Sequence, residues 1–217
     1  MRTKTLVCAA ALAAGLATSA WAQSNVYSLN VVGYYNVTVP ANQYVLIANQ
    51  LNTTNNTLAG VIPNPPGGSQ FQAFAGGGLS AYVFDDADLV WTPNGNANLA
   101  PGQGGYFRSP VATTVTFVGE VKQGSLTNTL PKGQYVISAS IVPQGTNVVQ
   151  LGVPGEGGDQ LQTFAGGGFS AYVFDDADLV WTPGNPDGPA IAVGQSFFYR
   201  KAPTATQTNW IRNFTVQ

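Results

Sequence analysis

The chain has no histidine, one cysteine and one methionine, and charged residues fill only 8% of its 217 positions. Each shortage removes a class of chemistry. Without an imidazole there is no Ser-His-Asp or Cys-His arrangement and no His-ligated metal, and one thiol cannot hold a zinc, iron-sulfur or disulfide framework. Basic residues are too few and too scattered for nucleic acid, which needs several Lys or Arg contacts to phosphate; only Arg200 and Lys201 adjoin outside the first few residues. Low charge does not mean disorder, because 44% of residues are hydrophobic and 11% aromatic, enough apolar surface for a core.

The first residues carry Arg2 and Lys4, an apolar stretch from Leu6 to Leu16 and then Ala20-Trp21-Ala22. A basic start, an apolar run too short to span a bilayer and an A-x-A site predict a secretory signal peptide over residues 1–22, with the product secreted, periplasmic or extracellular. Cys8 lies inside that segment, so the mature chain is expected to lack cysteine. It keeps six basic residues against ten acidic ones, a net charge of −4. No later apolar run reaches about 18 residues, so no membrane-spanning helix is expected.

Self-similarity is the strongest signal. Residues 74–93 read FAGGGLSAYVFDDADLVWTP and residues 164–183 read FAGGGFSAYVFDDADLVWTP, identical at nineteen of twenty positions. Thr38, Pro40, Gln43, Tyr44 and Val45 recur as Thr129, Pro131, Gln134, Tyr135 and Val136, and Phe107-Arg108 recurs as Tyr199-Arg200. Two units are expected, over residues 24–118 and 119–217. The near-identical segment either serves a role in both units or was copied by a recent local recombination. Short β-branched and aromatic runs (Tyr44 to Ala48, Ala81 to Phe84, Leu89 to Trp91, Gly105 to Arg108, Val111 to Val118) alternate with Pro- and Gly-rich turns. This predicts an all-β fold of two packed sandwich or barrel-like units, with one helical turn around Leu58.

The strand Asn42 to Ile47, then Tyr82-Val83-Phe84-Asp85 leading to Trp91, then Leu99-Ala100-Pro101-Gly102-Gln103-Gly104-Gly105-Tyr106-Phe107, then a closing Phe117-Val118-Gly119, resembles a β-repeat of exported bacterial surface proteins. The opening Val26 to Tyr34 resembles the start of uncharacterised exported proteins of that kind. The second unit departs from the pattern at Ala192-Val193-Gly194-Gln195-Ser196. The resemblance implies architecture and export, and no common activity.

What chemistry remains is carboxylate, lysine and tyrosine. A glycosidase-like acid pair would have to come from turn-borne acids, Glu120, Glu156, Asp159 and Asp187 among them, and a non-enzymatic role is expected. Six of the ten acids sit in Asp85-Asp86-Ala87-Asp88 and Asp175-Asp176-Ala177-Asp178. Crowded carboxylates suit either a solvated hairpin turn or a calcium ion, which takes oxygen ligands alone. Tyr82 with Trp91, and Tyr172 with Trp181, are either core residues or stacking platforms for an extracellular glycan. The triple glycines 76–78 and 166–168 lack the helix and Lys-Ser/Thr of a phosphate loop and read as turns. The functional expectation is an exported structural or surface-interaction protein that self-associates through edge strands. The alternative is a glycan-binding module with two equivalent aromatic sites, possible calcium stabilisation serving either.

Overall fold

A computed structural model describes residues 31–216. The signal-peptide expectation for residues 1–22, with Cys8, lies outside the described residues. The first half of the chain supplies β1 (Val32–Val39), β2 (Tyr44–Ala48), the single-turn helix α1 (Leu58–Val61), β3 (Gln70–Ala75), β4 (Gly78–Asp85), β5 (Val90–Thr92), β6 (Gly104–Arg108) and β7 (Thr113–Glu120). The second half supplies β8 (Gly124–Thr129), β9 (Tyr135–Ser138), β10 (Thr146–Asn147), β11 (Gln160–Ala165), β12 (Gly168–Asp175), β13 (Val180–Thr182), β14 (Ala190–Ile191), β15 (Phe197–Arg200) and β16 (Asn209–Phe214). The fold is all-β and its ladders are antiparallel. No helix among the described residues is long and apolar enough to cross a membrane.

Each half builds a five-stranded sheet, in the orders β2-β6-β3-β4-β5 and β9-β15-β11-β12-β13, and a two-stranded ribbon, β1-β7 and β8-β16. Registers repeat: Gln70 faces Val83 and Phe84 faces Trp91, as Gln160 faces Val173 and Phe174 faces Trp181. Every ladder among the described strands joins strands of the same half. The boundary expected between residues 118 and 119 falls inside β7, where Gly119 pairs with Gly33 and Glu120 with Val32. Val118-Gly119-Glu120 therefore closes the first ribbon, and β8 opens the second.

Period-2 alternation explains the layers. In β1, Tyr35 and Val39 are buried while Tyr34, Asn36 and Thr38 face out. Tyr35 and Val39 meet Ile47, Phe71, Phe84, Trp91, Phe107 and Phe117 in one core, and the Tyr35 ring stacks on Phe117 at 4.9 Å. A second core gathers Leu130, Leu161, Trp181, Phe197, Tyr199 and Trp210. Each such side chain contributes about 1.5–3 kcal/mol through burial. The first core also takes in Leu126 and Val142 from beyond residue 120, and Val31–Gln217 forms one compact unit.

The opposite faces of the two large sheets pack on one another through Leu46, Tyr106, Ile137 and Phe198, with Tyr44, Phe74, Tyr135 and Phe164 around them. The contacts are reciprocal. Phe74 meets Phe198 edge-on at 5.2 Å, and Phe164 meets Tyr106 edge-on at 5.3 Å. The Ala48 amide donates to the Gly194 carbonyl at 2.8 Å, and the Ala139 amide to the Gly102 carbonyl at 3.0 Å. Gly102 and Gly194 both have positive φ, at 91° and 76°. A Cβ on Gly102 would lie 2.6 Å from Asn128 Oδ1, and one on Gly194 2.5 Å from Val37 Cγ2. The loop that departs from the repeat pattern in sequence thus keeps the glycine that the contact requires.

Candidate functional site

The near-identical segments form the outer hairpins, β3 to β5 and β11 to β13. Trp91 and Trp181 are 3% and 1% exposed, so neither offers a ring face to a sugar. They pack edge-on against Phe84 and Phe174 at 5.5 and 5.3 Å, and the Trp91 indole N–H donates to the Ile62 carbonyl at 2.9 Å. Tyr82 and Tyr172 are half-buried and packed against the two cores. Of the two alternatives, core residue and stacking platform, Trp91 of β5 and Trp181 of β13 take the first, and alternation in β4 and β12 turns Tyr82 and Tyr172 towards the same cores.

The carboxylates do not gather either. Asp85 Oδ1 and Asp175 Oδ1 each accept the amide two residues on, Ala87 or Ala177, at 2.9 Å. Asp86 and Asp176 fold back over Gly67 and Gly157, where a Cβ would come within 2.4 and 2.6 Å of the carboxylate carbon. Asp88 and Asp178 are exposed at the tips. Among the described residues no group of three or more His, Cys, Asp or Glu is placed to hold a metal ion, so these six acids, read as either a solvated turn or a calcium site, are not brought together. Asx-turn hydrogen bonding accounts for the first aspartate of each motif. Leu89 and Leu179, which follow the tips, sit at φ 56° and are 63% and 71% exposed, a conformation that costs a leucine about 1–2 kcal/mol.

The densest chemistry lies elsewhere, at the join of β11 and β15. Asp159 immediately precedes β11 and Lys201 immediately follows β15, so both flank the register pair Gln160–Arg200. Both are fully buried, and Lys201 Nζ lies 2.6 Å from Asp159 Oδ2 and 3.2 Å from Glu156 Oε1. Asp159 Oδ2 also accepts the Glu156 amide at 2.9 Å, and Oδ1 accepts the Ala202 amide at 2.7 Å. The Tyr199 hydroxyl lies 2.9 Å from Asp159 Oδ2 and 2.6 Å from the Pro154 carbonyl. Burial, reinforced by the Asp159 charge, pushes the Tyr199 hydroxyl upward, so it stays protonated. Glu156 is partly exposed and receives the Thr206 and Gln207 amides, both at 2.7 Å, with the Thr206 hydroxyl at 2.8 Å. These donors, the two amides foremost, hold its carboxyl down at about 2.

A carboxyl depressed by folding stabilises the native state above its unfolded value, and that contribution disappears as the carboxyl is protonated. The melting temperature is therefore expected to fall as pH drops from 4.5 towards about 2, and Glu156→Gln should lack that part of the acid limb. Melting curves of both proteins across this range check it.

The equivalent place in the first half is occupied by other residues. The Ser69 amide donates to Pro66 O as Asp159 does to Glu156 O, and the Asn42 amide donates to Ser109 O as Gly133 does to Lys201 O. Ser69, Ser109, Phe107 and Pro66 thus stand where the second half has Asp159, Lys201, Tyr199 and Glu156. The same fold is built there without an ion pair, and the Ser69 hydroxyl is buried without a partner. No protein family, no curated protein and no solved structure matches the chain.

Proposed function

We propose that the protein is an exported, non-catalytic surface-interaction protein of two homologous β-units in tandem, and that its outer hairpins bind a second copy of the same chain. The observation that carries this reading is where identity is kept: buried positions outside the repeated segment differ between the halves (Leu46 and Ile137, Phe107 and Tyr199, Ser69 and Asp159), whereas within it exposed Ala81, Val83, Leu89 and Thr92 are identical to Ala171, Val173, Leu179 and Thr182, as buried Trp91 is to Trp181. Packing alone would preserve the first set and release the second.

A second copy suits this surface because the hairpins extend an interface the chain already uses. Leu79 pairs with Phe74, Ala81 with Gln72 and Val83 with Gln70, so the exposed residues of β4 continue the sheet face that packs against the other half. Leu79, Val83 and Val90 are 52%, 42% and 49% exposed, and Phe169 and Val173 are 52% and 41%. Asp85 and Asp175, paired with Val90 and Val180, set one carboxylate at the end of each such face, and the other acids of the motif sit beyond it in the hairpin turns. Two like faces per molecule give open-ended association.

Light scattering of the secreted protein over a range of concentrations tests this. An apparent mass that rises with concentration is expected, and Val83→Lys with Val173→Lys should keep the protein monomeric. A wild-type protein that stays monomeric throughout would remove the proposal.

A further inference from the structure

We propose that Lys201 and Asp159 condense into an intramolecular isopeptide bond, a covalent clamp between the start of β11 and the end of β15. The cluster has the parts this reaction needs. The nucleophile and its carboxyl are in contact at 2.6 Å and both are removed from water, which in solution holds such a pair in the hydrolysed form. Oδ1, the oxygen that remains as the amide carbonyl, receives the Ala202 amide at 2.7 Å, a donor placed where negative charge develops on attack. Oδ2, the oxygen that departs, is the one facing Lys201, Tyr199 and the Glu156 amide.

The steps balance without any outside reagent. One proton passes from the Lys201 ammonium to Asp159 Oδ2, leaving an amine beside a carboxylic acid. Nζ attacks Cγ, and the Nζ–Cγ bond forms as the carbonyl electrons move onto Oδ1. Glu156, 3.2 Å from Nζ, takes the second proton and hands it to the departing Oδ2 hydroxyl, so one water leaves and one amide hydrogen stays. The first half supplies the internal control: with Ser69 and Ser109 at the matching positions, it folds the same way and cannot make the bond. A mature chain expected to lack cysteine has no disulfide for this purpose.

Mass spectrometry of the purified wild-type protein decides the matter. Trypsin places Asp159 in peptide 133–200 and cuts on both sides of an unmodified Lys201. The expected product is peptide 133–200 joined to 201–212 with a loss of about 18 Da, one water. Lys201→Met should restore the full mass; should that variant fail to fold, Glu156→Gln, which keeps both reacting residues, should leave peptide 133–200 unlinked. Wild-type protein with peptide 133–200 free, or a water loss confined to Asp187-Gly188, where an Asp-Gly sequence can cyclise, overturns the assignment. A bond formed as completely in Glu156→Gln as in wild type removes Glu156 from the reaction.

Discussion

Asp159→Ala is expected to lower the unfolding free energy by at least about 3–5 kcal/mol, because in the variant the buried Lys201 ammonium is left without its counter-ion, whether the wild-type pair is ionic or condensed. Lys201 is fully buried, and its nearest oxygen, at 2.6 Å, belongs to Asp159. Glu156 at 3.2 Å is partly exposed and engaged with Thr206 and Gln207, so it compensates only in part. The substitution also orphans the Ala202 and Glu156 amides. Ser69→Ala, at the matching point of the first half, should change stability by less than about 1 kcal/mol, because the hydroxyl it removes is buried without a partner. Paired urea titrations of the two variants measure the contrast. Similar small effects at both positions would show that the ion pair is unimportant to the fold.

Trp181→Ala should cost about 3–5 kcal/mol, the range for emptying a large buried aromatic. The ring packs against Phe174 at 5.3 Å and Tyr199 at 6.1 Å, so its removal leaves a void beneath β12 and beside the Lys201 cluster. Trp91→Ala should lose a similar amount, and it also strips the Ile62 carbonyl of its indole donor. Asp88→Asn, one turn away at an exposed hairpin tip, should stay within about 0.5 kcal/mol. Thermal and urea unfolding distinguish the two classes, and a Trp181→Ala protein as stable as wild type would contradict the packing.

Strands with strong β-branched or aromatic runs were legible in the chain. Tyr44 to Ala48 is β2 to the residue, Gly105 to Arg108 misses β6 by one glycine, and the expected helical turn is α1, capped by the Thr57 hydroxyl accepting the Gly60 amide. β3 and β11 were not anticipated: in Gln70–Ala75 the inward residues are one Phe and two small or flanking positions, and the glycines on either side read as loop. The aromatic and acidic candidates were ambiguous because a residue type does not say which face of a strand it occupies. One register step separates a sugar platform from a core tryptophan. The Lys201 cluster was missed because its members lie up to 45 positions apart and belong to no local motif. A signal was nevertheless present, in the comparison of one copy with the other: Ser69 and Ser109 become Asp159 and Lys201, so opposite charges arrive together in the same half.

The reciprocal contacts between the two large sheets have a consequence for what each half can become. Two identical subunits meeting through such a face would receive every substitution twice, and a buried lysine with its acids would have to suit both. Joining the partners in one polypeptide holds them at high effective concentration and lets each side be altered alone. The shared face, built from Phe74, Tyr106, Phe164 and Phe198, keeps the partners matched, while Glu156, Asp159, Tyr199 and Lys201 occur on one side only. Within one polypeptide the two sheets can differ, and the ionisable cluster stands beside one of them alone.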